Sequence, residues 1–398
     1  MLAIHGGTPV RTKKFDTWPR VTALDRGVLH AAVMAADFHS GGRRRLFEDQ
    51  FAADCGVKHC FCVANGTVSL ELILRAYGIG YGDEVILPPY TFVATLSSIV
   101  FAGATPVFAD IARESYLLDP KAVEQKITSR TRAVVAVAVA GCPPMIDELE
   151  DLCRRHGLRL IMDAAQAVGA AWQNRRICAC GDVASVSCQN TKNLTCGEGG
   201  IITTNDDALA EQLALILDGG QKNGVYLHVG QDHLMGELTA SVLLSQYQKL
   251  ESEIALRERN AAYLSGRLKD LPFVHSAAYD ARITRHAYHL YLMRFDRDVL
   301  AEKGIDRRRF LKALNAEGIP ISAGYMPLYT FPCATSADTE RTIGGKIDVS
   351  PLTECQRASY EEAAWLTQNL LIGGFAEMDD VADAMIKVWE HADDVRGL

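Results

Sequence analysis

The 398-residue chain has no apolar run approaching the ~18 residues that a membrane span requires. Its start, MLAIHGGTPVRTKK, carries no apolar signal core followed by a small-residue cleavage site, so a cytoplasmic protein is expected. Positive charge is not in excess. Forty-one Lys plus Arg against 49 Asp plus Glu give a net charge of -8, which argues against a general polyanion binder but leaves room for a local phosphate site. Nucleotide signatures are missing too: Gly78-Ile79-Gly80-Tyr81-Gly82-Asp83 fails the G-x-G-x-x-G spacing and precedes a strand instead of following one. There is no G-x-x-x-x-G-K-[ST] and no H-E-x-x-H, so a P-loop ATPase and a zinc protease lose their main support. The cysteines number 11, an odd count, and Cys60/Cys62 and Cys178/Cys180 are not followed by a second pair at zinc-site spacing. Free thiols and no structural metal are expected.

What is present is a globular composition, with 48% hydrophobic and 23% charged residues and no internal repeat or low-complexity linker. From about Phe47 to Thr204, strand-like and helix-like segments alternate, which is the pattern of a mostly parallel sheet covered by helices. Short apolar runs at Cys60–Val63, Glu84–Leu87, Thr105–Phe108, Ala133–Ala140, Arg159–Met162, Val183–Ser187 and Gly200–Thr204 read as strands buried on both faces. Helices are expected at Val68–Ala76, Phe92–Phe101 and Met145–His156, then at Ala208–Leu217 and over a long periodic stretch, Leu238–Lys269. Further on, strand-like His289–Phe295 and Pro320–Gly324 flank helix-like Arg307–Glu317, and a helix near Met378–His391 closes the chain. The expectation is an α/β protein: a large domain over residues 1–250 with a mostly parallel mixed sheet, and a smaller C-terminal α+β domain over 251–398.

Three segments carry candidate chemistry. In Ser187-Cys188-Gln189-Asn190-Thr191-Lys192, followed by a glycine-rich return to Gly200, a lysine sits on a turn between strands. Such a turn can present it into a cleft, although a solvated surface lysine is the ordinary alternative. In Leu158–Gln166 an apolar strand ends in Asp163, and ligands of open α/β sheets bind at such carboxyl ends. Pyridoxal phosphate would join the two, since its ring nitrogen needs an anionic partner and its aldehyde a lysine amine. A helix N-cap is the other reading of Asp163. In Val63-Ala64-Asn65-Gly66-Thr67 a strand turns into a helix whose first amides can cradle a phosphate, with Ser187 adding a hydroxyl. The same Asn-Gly-Thr is also ordinary capping chemistry. The basic stretch Phe38–Arg45, with three consecutive arginines, is either a solvated turn or a contact for an anionic substrate.

Together these segments resemble the DegT family of fold type I pyridoxal phosphate enzymes, the sugar and cyclitol aminotransferases. The matches are Asn65–Thr67, PPYTFVAT at Pro88–Thr95, DAAQAVGA at Asp163–Ala170 and TKNLTCGEGG at Thr191–Gly200. The resemblance implies Lys192 as the cofactor lysine, Asp163 as partner of the pyridine nitrogen, and Phe92 stacked on the ring, a position that simple core packing would otherwise explain. It further implies Gly66, Thr67 and Ser187 around the phosphate, and Gln166 near the ring hydroxyl. Gln189 stands where many members have His and resembles the branch acting on keto-cyclitols and aminohydroxybenzoate-type precursors. Gly324–Tyr329 is similar to the family's small-domain substrate segment. The implied activity is transfer of an amino group from glutamate or glutamine to a keto-sugar or keto-cyclitol, in a homodimer with shared sites, as in antibiotic biosynthesis.

Three departures bear on this. Ala138 replaces a frequent His, and Asp232 and Leu234 replace an Asn and an Arg in the segment Gly230–Glu237. The resemblance implies that the Asn reaches the cofactor phosphate of the neighbouring subunit, so Asp232 in its place would have to turn away, take a proton or pair with Lys222 or His228. These departures keep open a dehydratase-like reaction or a non-catalytic homologue acting as partner or regulator.

Overall fold

The computed structural model describes residues 1–36, 38 and 40–398. Before residue 205 the chain lays down β1 (His59–Val63), β2 (Glu84–Leu87), β3 (Thr105–Phe108), β4 (Thr131–Val137), β5 (Arg159–Asp163), β6 (Ala171–Trp172), β7 (Arg175–Arg176), β8 (Val183–Ser187) and β9 (Gly200–Thr204). Seven of these form one sheet in the order β1-β9-β8-β5-β4-β2-β3. Only β9 runs antiparallel to its neighbours; the other pairs are parallel. The architecture is therefore the α/β mixed sheet flanked by helices that the alternation predicts.

The sheet's two faces hold separate apolar clusters. Val135, Ile161 and Ile202 belong to one, Val134, Leu160 and Ile201 to the other, because successive side chains of a strand point to opposite sides. Burial on both faces explains why these runs are continuously apolar, each fully buried Leu or Ile contributing about 1.5–3 kcal/mol. A third cluster joins Phe273, Phe295, Phe310, Leu366 and Met385, and the N-terminal Leu2 packs into it.

The C-terminal part adds β10 (Gln221–Lys222) paired with β11 (Val225–Tyr226), then β12 (Val274–Ser276), β13 (Ile283–Arg285), β14 (Leu290–Phe295) and β15 (Ala363–Thr367). The antiparallel sheet β12-β14-β15 stands apart from β13, which pairs with β6 beside the main sheet. Residues 286–289 thus carry the chain from one sheet to the other.

Three expected elements differ. The stretch 238–269 is two helices, Glu237–Tyr247 and Leu250–Leu268. Between them the Lys249 amide bonds to the Gln246 carbonyl three residues back, tightening the turn, while its ammonium reaches Asp25 at 3.0 Å. Pro320–Gly324 makes only a single bridge, Ser322 to Trp365. β4 stops at Val137 because Ala140 and Gly141 take left-handed conformations, φ 62° and 91°, that a strand cannot continue through.

Every one of the 11 cysteines is free. Among the described residues no helix is long and apolar enough to cross a membrane, and no group of three or more His, Cys, Asp or Glu is placed to hold a metal ion.

Candidate active site

Asp163 ends β5 and is 4% exposed. Its Oδ2 accepts from the Thr95 hydroxyl at 2.9 Å, and its Oδ1 accepts from the Ala165 amide at 3.2 Å. The capping-type contact is therefore real, but it uses one oxygen only. Burial pushes the Asp163 carboxyl up from its ordinary value, against the opposing effects of these two donors and of the Lys192 charge.

Strand β8 lies next to β5, with Ser185 paired to Asp163, so the turn after β8 opens beside that carboxylate. Lys192 stands on this turn, half-buried. Enclosure lowers the ionisation of its amine, and the Asp163 charge counters this. Each group thus feels the other's field, and neither is a solvated surface residue. A lysine depressed in this way holds more free amine, the form that attacks an aldehyde.

The backbone around Lys192 is fixed from outside its own loop. The Trp18 indole donates to the Lys192 carbonyl at 3.0 Å, and the Gln368 side chain donates to the Thr191 carbonyl. Asn193 donates to the Ala287 carbonyl at 2.7 Å and lies 3.1 Å from His289 Nδ1. Sequence patterning singles out none of Trp18, Gln368, Asn193, His289 and Thr95 for a role at the site; only Asn193 and Thr95 fall within quoted motifs.

At the β1 end, the Asn65 side chain caps the helix Gly66–Ala76 by accepting from Val68 at 2.9 Å. That leaves the Gly66 and Thr67 amides without a partner among the described residues, at the positive end of the helix dipole. A Cβ at Gly66 would sit 2.7 Å from Ser187 Cβ, so glycine is what lets the helix start approach the end of β8. The Ser187 hydroxyl oxygen accepts only a long bond from Gln189, 3.4 Å.

Phe92 is 55% exposed, so core packing does not account for it. Gln166 is buried, accepting from the Ala140 amide at 2.8 Å and donating to the Tyr325 hydroxyl at 3.0 Å. It ties the end of β5 to the segment Gly324–Tyr329. The Gln189 carboxamide oxygen accepts from the Thr191 amide at 2.8 Å and its hydroxyl at 2.7 Å, which shapes the lysine turn. The donor set fits pyridoxal phosphate: amides and a hydroxyl for a phosphate, a buried carboxylate for a cationic nitrogen, a depressed amine for an aldehyde, and an exposed aromatic face.

The departures resolve in part. Ala138 is buried and its amide donates to the Asp163 carbonyl at 3.0 Å. Asp232 is exposed, and Lys222 is not its partner, because that ammonium pairs with Glu211 at 2.6 Å. Asp232 forms no ion pair among the described residues. Leu234 bridges Val63 along β1. The basic stretch is not a turn throughout: Arg43–Arg45 open the helix Gly42–Cys55, where Arg44 pairs with Glu48 at 3.0 Å and the Arg43 amide donates to Glu237. His39, within that stretch, lies outside the described residues.

Comparison with known proteins gives the family. The model of the DegT/DnrJ/EryC1/StrS aminotransferase family matches residues 22–345. The chain is 35% identical to the L-glutamine:2-deoxy-scyllo-inosose aminotransferase of Streptoalloteichus tenebrarius, over 99% of each chain. It is 33% identical to the L-glutamine:scyllo-inosose aminotransferase of Streptomyces griseus, again over 99% of each. The crystal structure of 3-amino-5-hydroxybenzoic acid synthase superposes with a TM-score of 0.83 at 27% identity, covering 96% of this chain and 100% of that one. The chain belongs to the DegT/DnrJ/EryC1/StrS aminotransferase family, and its cofactor is pyridoxal 5'-phosphate.

Proposed function

We propose that the chain moves an amino group from glutamine, with glutamate as the other candidate donor, to a keto-cyclitol. The names of the two cyclitol relatives, which specify glutamine and inososes, support this choice. The observation that carries it is the placement of Asp163 at the end of β5 and of Lys192 on the turn after the adjoining β8, near enough that each feels the other's charge.

The cofactor, when bound, supplies the aldehyde that accepts the amine and the ring that withdraws electrons from the reacting carbon. The chain's residues then have separate tasks. Lys192 would hold the cofactor's aldehyde carbon, and its Nζ, when free, would take a proton from the donor's α-carbon and return one, as base and acid in turn. Asp163 would hold the cofactor's ring nitrogen protonated, with Thr95 and the Ala165 amide orienting the carboxylate. Gly66, Thr67 and Ser187 would hold the phosphate, Phe92 would stack on the ring, and Gln166, which donates to the Tyr325 hydroxyl, would lie near the ring hydroxyl. Gln189 sets the lysine turn.

Residues 1–250 serve as the cofactor-binding unit and 251–398 as the smaller one. Two apolar surfaces support a homodimer with shared sites: Val33 and Met34 on the helix Ala23–Met34, and Tyr226 to Val229 around the β10–β11 hairpin, where Val229 is 98% exposed. The 11 free thiols favour the cytoplasm, where thiols stay reduced.

The test is Lys192→Ala. The protein with added cofactor is expected to lose its yellow colour and all glutamine-dependent amination of an inosose; a yellow, active Lys192→Ala protein overturns the assignment.

A further inference from the structure

Residues 286–289 form the crossing between the β13–β6 sheet and the β14 sheet, and they are held unusually firmly. The Ala287 amide donates to the Gly141 carbonyl at 2.9 Å, and the Gln368 amide donates to the His289 carbonyl at 3.1 Å. Tyr288 takes a left-handed conformation, φ 47°, which a bulky side chain adopts only when its surroundings impose it. Gly141 admits no side chain there: a Cβ would lie 2.9 Å from the Tyr288 amide nitrogen and 3.0 Å from that of His289.

Asn193, next in sequence to Lys192 and 4% exposed, docks onto this crossing. The Ala287 carbonyl can only accept, so it is the Asn193 amide group that donates to it, at 2.7 Å. The Asn193 carbonyl oxygen is therefore the atom 3.1 Å from His289 Nδ1, and Nδ1 must carry the hydrogen. Burial, together with the Lys192 and Arg257 charges, keeps this imidazole neutral, so the tautomer with hydrogen on Nδ1 is the one present. Donor and acceptor of Asn193 are both used in a site closed to water, which allows the amide one orientation.

We infer that the Asn193–His289 pair is a positioning device for Lys192: His289 orients the Asn193 amide, which pins the peptide after Lys192 to the inter-sheet crossing and so sets where the lysine amine points. His289 and Asn193 are positioning residues; they act through Lys192, and the device has this meaning only if Lys192 is the cofactor lysine, as proposed above.

The test compares His289→Leu, Asn193→Ala and the conservative His289→Asn, whose side-chain amide can donate from about where Nδ1 stands. Two measurements are made: steady-state kinetics of the cofactor-loaded protein, and the rate at which acetic anhydride labels Lys192 in cofactor-free protein, read by mass spectrometry of the tryptic peptide. For His289→Leu and Asn193→Ala, kcat is expected to fall about tenfold to a hundredfold, with KM for both substrates within about threefold, because misplacing a reacting group costs turnover more than binding. The Lys192 labelling rate should change in both, and His289→Asn should recover most of both readouts. Unchanged kcat and labelling in folded His289→Leu, or a His289→Asn protein as impaired as His289→Leu, overturns the inference. If His289→Leu does not fold, His289→Asn against Asn193→Ala makes the same comparison, and equal impairment overturns it. Lys192→Ala separates the two levels: if it stays yellow and active the cofactor lysine is misassigned, whereas if it is inactive while the pair variants behave normally only the positioning role falls.

Discussion

Thr95 Oγ1 donates a hydrogen bond to Asp163 Oδ2 at 2.9 Å, linking the start of the helix Ala94–Phe101 to the end of β5 across 68 residues of sequence. One hydroxyl thus helps hold a buried carboxylate in its ionised form. Thr95→Val keeps the shape and removes the donor. A hydrogen bond to a charged group is worth about 1.5–3 kcal/mol, so turnover should fall about tenfold to a hundredfold with the fold intact. Steady-state kinetics alongside thermal unfolding checks this.

Asp163→Asn separates function from stability. In the cofactor-free protein burial raises the Asp163 carboxyl above its unfolded value, so this group costs stability increasingly as pH rises through the folded value. In the amide the carbonyl oxygen can accept from the Ala165 amide while its NH2 donates to the Thr95 hydroxyl oxygen, whose hydrogen turns away, so both contacts persist without a charge. The cofactor-free variant should therefore melt higher than the parent at neutral pH, and the difference should shrink in acid. Amino transfer should fall about a hundredfold or more with the ring nitrogen's partner gone. A lower melting temperature at neutral pH would contradict the sign.

Gly66→Ala tests the phosphate cradle. Its Cβ would meet Ser187 Cβ at 2.7 Å, too close to persist, so the helix start must shift from β8. Such overpacking costs about 1–3 kcal/mol, and cofactor affinity should weaken at least about tenfold, measured by equilibrium dialysis of the coenzyme.

Asp25 anchors the segment that carries Trp18 over the lysine turn. Burial alone would raise its carboxyl, but hydrogen bonds from Ser245, Thr22 and Lys249 outweigh this and hold it far below the usual carboxylate range. With a depressed folded value, its stabilisation is present above about pH 4, the unfolded value, and is lost as pH falls below that. Asp25→Asn should lower the melting temperature at neutral pH, with the gap to the parent closing in strong acid.

The main sheet was readable because its strands are buried on both faces, which forces runs such as Val134 to Val137 to be apolar without alternation. The site's chemistry was readable where it sits in a contiguous motif: Asp163, Lys192 and Gly66 each stand at a strand end or helix start whose pattern is local. What escaped is what depends on distance in sequence. Trp18 and Gln368 meet the lysine turn across 174 and 177 residues, and nothing in either neighbourhood records the partner. The single periodic pattern over 238–269 likewise gives no sign that Lys249 turns toward Asp25 and ends one helix before the next begins. Phe92 was ambiguous because an aromatic beside apolar residues reads the same in a core as over a cofactor; only its exposure distinguishes them.

The central claim is covalent, and one experiment addresses it directly. The protein is loaded with pyridoxal 5'-phosphate, reduced with borohydride, digested and sequenced by mass spectrometry. A phosphopyridoxyl group on the peptide containing Lys192, and on no other lysine in comparable amount, is the predicted result. Label on a different lysine, or none on Lys192 in a catalytically active preparation, would contradict it.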